Sequence, residues 1–68
     1  MSMSKKDYIV IAESIRTQVK QLDRYPKGDA LANVLRRNLQ ALADNLAVNL
    51  AVENPRFDRE RFMKACGF

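Results

Sequence analysis

Sixty-eight residues, 47% of them hydrophobic, make one domain near the lower size limit for independent folding and exclude a disordered chain. Twelve Lys and Arg against eight Asp and Glu leave a net charge of +4 and a pI near 9.6, which favours acidic partners, although such a charge also serves solubility alone. One cysteine excludes an internal disulfide, the lack of histidine removes the usual zinc ligand and general base, and no apolar run or leader fits a membrane span or secretion.

The expected setting is therefore a reducing cytoplasm, with no cofactor and no membrane. The whole of 1–68 reads as a single helical domain, with residues 1–3 expected to be disordered. Ser4, with Asp7 three residues on, marks the start of a first helix. Tyr8, Ile11, Ala12, Ile15, Val19 and Leu22 then recur at three- and four-residue steps, which predicts an amphipathic helix over about 5–23. Arg16, Lys20 and Arg24 form a ladder of positive charge on its outer side; it reads as a solvated face or as a phosphate-binding strip.

Tyr25-Pro26-Lys27-Gly28 breaks that helix, and Asp29 can cap a second one. Leu31, Val34, Leu35, Leu39, Leu42, Leu46 and Leu50 carry the helical period over about 30–52, the longest element. Its apolar arc spans roughly 200° at 100° per residue, and Asn38, Asn45 and Asn49 fall inside it. Behind that arc, Ala43, Ala47 and Ala51 make even the opposite side small and only weakly polar towards the C-terminal end. A helix this apolar needs cover on more than one side, so self-association is expected through Leu35, Asn38, Leu42, Asn45, Leu46 and Asn49. Amides in such a seam are least costly when a symmetry-related copy bonds them, which also fixes register. Two other readings stay open: amides wetted or bonded to local backbone at the edge of the face, or the floor of a small-ligand pocket.

Asn54-Pro55 stops the second helix. Asp58 is an N-cap, and Phe57 and Phe62 stand at hydrophobic-staple spacing around it, predicting a short third helix over about 59–66. Gly67 is placed to end that helix in a left-handed conformation, with Phe68 reaching back to Met63. The fold class is all-α, three helices with a long central one, in a homodimeric helical bundle.

Catalysis is not expected. Asp58 is claimed by capping, Glu60 lies in a first helical turn, and Asp44 and Glu53 have no histidine to work with. Cys66 has Lys64 two residues away but no base, and reads as a packing residue near Phe62. The only glycines, Gly28 and Gly67, make no phosphate-cradling loop. Arg56, Arg59, Arg61 and Lys64, interleaved with Phe57 and Phe62, support a nucleic-acid-binding alternative, blunted by Asp58 and Glu60.

The opening KKDYIVIAESIR and the ending NPRFDRERFMKACGF resemble a set of short helical proteins of tailed phages and prophages. Asn54, Pro55, Arg56, Phe57, Asp58, Arg61, Phe62, Ala65, Cys66 and Gly67 fit that group's finish position by position. Capping, stapling and the glycine stop explain most of these; Arg56 and Arg61 have no such local role. The resemblance covers less than half the chain. It implies an accessory protein that sticks to a host factor, defence machinery included, and inhibits or redirects it without catalysis. Arg16, Lys20, Arg24, Arg36, Arg37, Arg56 and Arg61 are the candidates for engaging a host protein with an acidic surface. A small nucleic-acid-binding regulator is the alternative.

Overall fold

The computed structural model describes residues 4–68; the expectation for residues 1–3 lies outside them. Helix α1 spans Lys5–Gln21, α2 spans Ala30–Glu53 and α3 spans Arg59–Ala65, so the described residues are all helix and connecting turns. The Asp7 carboxylate accepts the Ser4 backbone N–H at 2.9 Å and the Ser4 hydroxyl at 3.2 Å, fixing the start of α1. Its end falls at Gln21, two residues before the expected boundary, because Leu22–Arg24 tighten into a 3₁₀ turn. Tyr25 is then extended (φ −84°, ψ 150°), as the residue before Pro26 must be.

Gly28 takes φ +79° and turns the chain into Asp29, whose side chain accepts the Ala32 N–H at 3.0 Å. At the far end of α2 a second pre-proline residue, Asn54, is extended (φ −137°, ψ 103°) and stops the helix. Asp58 Oδ1 accepts the Arg61 N–H at 3.1 Å to open α3. Gly67 (φ +98°) closes it: its N–H donates to Lys64 O and that of Phe68 to Met63 O, each at 3.0 Å. Cys66 is the C-cap, so the helix proper ends one residue earlier than expected.

The core centres on the alanine side of α2. Ala43 and Ala47, behind the leucine arc, are 0% exposed and sit where the three helices meet. Alanine has no side chain beyond Cβ, so α1 and α3 approach the α2 backbone closely there. Leu39, Leu46 and Leu50 flank that line and pack against the cluster half-buried. From the other helices come Ala12, Ile15, Val19, Phe62 and the fully buried Cys66. Leu22 is buried on the 3₁₀ turn.

This core is thin. Among the described residues its large buried side chains are Ile15, Val19, Leu22 and Phe62, each worth on the order of 1.5–3 kcal/mol on burial. The molecule is a rod of 41 × 18 × 17 Å with a radius of gyration of 13.0 Å, above the ~11 Å typical of a compact chain this long. Among the described residues no helix is long and apolar enough to cross a membrane.

Candidate functional site

Two surfaces stand out, and each is a direct product of how the helices are held. The first is a groove of about 400 Å³ between the start of α1 and the entry to α3. Three rings build it. Phe57 packs edge-on against Tyr8 of α1, centroids 4.9 Å apart at 67°, and against Phe62 of α3 at 5.4 Å and 56°. The expected staple is thus present, and it also grips α1. Asn54 ties the corner together: its Nδ2 donates to Tyr8 Oη at 3.3 Å, while its Oδ1 accepts the Arg56 N–H at 3.1 Å. The Phe57 N–H donates to Asn54 O at 2.9 Å, completing the turn that projects Arg56.

Three cations, Lys5, Arg56 and Arg61, line this groove, and Asp58 is its sole carboxylate. Asp58 Oδ1 accepts the backbone N–H of Arg61, so part of its charge is spent on the cap. An aromatic base under a cationic rim suits an apolar group attached to an anion. The two motif arginines without a local structural role therefore meet at one place. Tyr8, expected only as part of the apolar stripe of α1, and Lys5 complete the site. A staple pairs Phe57 with Phe62 in sequence, whereas the Tyr8 contact spans most of the chain.

The second surface is the outward side of α2. Leu31, Val34, Leu42, Val48 and Val52 are all exposed, from 44% for Val48 to 78% for Val52. At 100° per residue they cover an arc of about 120°, roughly opposite Ala43. Asn38, Asn45 and Asn49 are exposed within the same arc. Asn49 Nδ2 donates to Asn45 Oδ1 at 3.0 Å, leaving the Asn45 NH₂ donor and the Asn49 oxygen directed outward. Among the other seam candidates, Leu42 lies in the exposed stripe and Leu46 packs on the chain's own core. Leu35 and Asn38 line a shallow depression with Arg24.

The remaining basic candidates are dispersed. Arg16, Lys20, Arg36 and Arg37 are exposed, and Arg16 lays its stem beside Gly67, its Cγ 3.8 Å from where a Cβ would stand there. The four-residue ladder on α1 does not continue to Arg24, since the α-helix has given way to the 3₁₀ turn. The basic cluster of the C-terminal segment is divided as well: Arg59 and Lys64 line a separate depression with Glu60, away from Arg56 and Arg61. Cys66 is buried at the helix junction, and burial pushes its thiol pKa up from the usual 9.0, which keeps it protonated. Among the described residues no cluster of acids and cysteine is arranged to hold a metal ion. In comparisons with known proteins, this chain matches no family, no curated protein and no solved structure.

Proposed function

We propose that this chain acts by stoichiometric binding, as a phage-type accessory protein that pairs with a second copy of itself and blocks or redirects a macromolecule in the host cytoplasm. The observation that carries the reading is the outward face of α2. Leu31, Asn38, Asn45 and Val52 recur every seven residues, and Val34, Ala41 and Val48 fall three residues after the first three of them. That is the repeat by which two helices share a seam, and this one lies on the side away from the chain's own core.

The five exposed aliphatics offer roughly 500 Å² per copy, so pairing two copies reaches the ~1,000 Å² at which interfaces become specific. Asparagines inside such a seam lower its strength and set its register. Their remaining donor and acceptor are supplied when each faces its equivalent in a parallel pair. Resemblance of the two chain ends to small phage proteins supports the host-directed role, as does the basic surface.

Light scattering coupled to gel filtration at micromolar concentration tests the assembly. A mass near twice 7.8 kDa is expected, reverting to monomer in Leu42→Glu/Val48→Glu. A folded wild-type monomer at that concentration would refute it. Recovery of one host protein by the wild-type dimer, lost in Arg56→Glu/Arg61→Glu, tests the role itself.

A further inference from the structure

We infer that the groove between the start of α1 and the entry to α3 is a binding site for an acidic protein segment carrying one aromatic or large aliphatic anchor. This deepens the reading of the chain as a binder and rests on it, but it does not depend on the α2 seam. Asn54 fixes both Tyr8 and the turn that carries Arg56, and Phe57 joins the two rings on either side of it. The base is therefore preorganised, so an entering side chain loses little to reordering the protein.

The rim then decides the sign of the ligand. Lys5, Arg56 and Arg61 face one carboxylate, and that carboxylate caps α3. Arg56 and Arg61 are exposed and carry planar guanidinium groups suited to bidentate pairing with carboxylates. A volume of about 400 Å³ admits one large side chain rather than a long apolar stretch. Extended nucleic acid needs cations at successive phosphates, and here Arg59 and Lys64 turn to a different depression that includes Glu60. The observations favour a protein segment.

The probe is a fluorescein-labelled synthetic peptide with one central phenylalanine flanked by Asp and Glu, read by anisotropy against the full chain. Binding should saturate and weaken severalfold between about 50 and 300 mM salt. It should fall about tenfold or more in Arg56→Glu/Arg61→Glu, and comparably when the phenylalanine is replaced by serine. Lys5→Glu, at an exposed first-turn position, gives an independent variant if the double substitution loses its helical circular dichroism. In NMR spectra the shifted resonances should centre on Tyr8 and Phe57.

Three results would overturn the assignment: no binding at high micromolar protein, equal binding of a Lys-flanked peptide, or equal binding of an oligothymidylate lost in the same variants. Light scattering on the same samples keeps the two proposals apart. A dimer that ignores the peptide sinks the groove alone, and a monomer that binds it sinks the seam alone.

Discussion

The burial of Ala47 makes the sharpest test of this fold, because it puts a small residue from behind the leucine arc at the point where the three helices meet. Consider Ala47→Leu. A leucine adds three carbons at a position with 0% exposure, beside the equally closed Ala43 and the cluster of Ile15, Val19, Phe62 and Cys66. Room for them must come from separating the helices. Forcing extra methylenes into a filled core costs typically 1–3 kcal/mol, and the upper end applies where backbone, rather than a flexible side chain, has to shift. A domain of this size holds only about 3–10 kcal/mol in total. Each kcal/mol is worth about 4–8 °C in a chain this small, so the melting temperature should fall by roughly 10–20 °C, or the chain should fail to fold cooperatively. Thermal melts by circular dichroism at one fixed protein concentration measure this, since self-association would make stability concentration-dependent. Ala41→Leu is the control: Ala41 is exposed on the outward side, and leucine there should leave the melt unchanged or raise it. If Ala47→Leu melts within 2–3 °C of wild type, a shift of about 0.5 kcal/mol, the alanine-lined junction is wrong.

Gly67→Ala should cost about 1–2 kcal/mol by chemical denaturation, since φ +98° strains any L side chain; the new Cβ would stand 3.6 Å from Val19 Cγ1, an ordinary contact, so the backbone bears the cost. Phe57→Ala removes both ring contacts from a half-buried position and should lower stability by about 2 kcal/mol, with loss of near-ultraviolet dichroism from Tyr8. Cys66 in the folded chain should react with iodoacetamide at pH 8 about a hundredfold more slowly than in urea, because it is buried and its thiol pKa is raised. The sign for stability follows: above pH 9.0 the unfolded chain loses a thiol proton that the folded chain keeps, so stability declines there and is unaffected below. Melts of Cys66→Ala above pH 9 should show a flatter decline than those of wild type.

Local signals in this sequence carry the elements and most of their ends. Both proline stops, the caps at Asp29 and Asp58, the aromatic staple and the Gly67 turn act between residues a few positions apart, and each stands as expected. The stripe along α1 and into its 3₁₀ turn was legible too: Ala12, Ile15, Val19 and Leu22 are buried, and Tyr8 and Ile11 half-buried. The inward side of α2 was not. Hydrophobicity ranks leucine above alanine, so a helix with leucines over a wide arc and alanines behind looks as if the leucines must face in. Close helix crossings select instead for small size, and that preference has no signature in periodicity alone. The groove was half legible. Arg56 and Arg61 stood out as motif residues with nothing local to do, whereas Lys5 and Tyr8 belong to it only through contacts across the chain. The 3₁₀ turn at Leu22–Arg24 likewise depends on where the following pre-proline residue must go.

One packing choice links the two surfaces. Placing alanines at the junction brings α1 and α3 against α2 and leaves Leu31, Val34, Leu42, Val48 and Val52 exposed on its outward side. The same approach sets Tyr8 beside Phe57, which creates the groove at the end of the rod where α2 stops at Asn54. The exposed α2 stripe and the groove therefore occupy different faces, so the proposed second copy along α2 would leave the Arg56 turn exposed. A parallel pair, the arrangement that sets Asn38 and Asn45 against their equivalents, brings both grooves to the same end of the dimer. An antiparallel pair would separate them by about the 36 Å length of α2. In the proposed parallel dimer, two weak grooves on one end would act together on a partner with two acidic segments, because the second contact would form at high effective concentration. Pairing would then raise affinity without adding a contact to either groove. A variant that loses the seam but keeps both arginines should bind a single acidic peptide normally, yet bind a tandem copy of it far more weakly than wild type does.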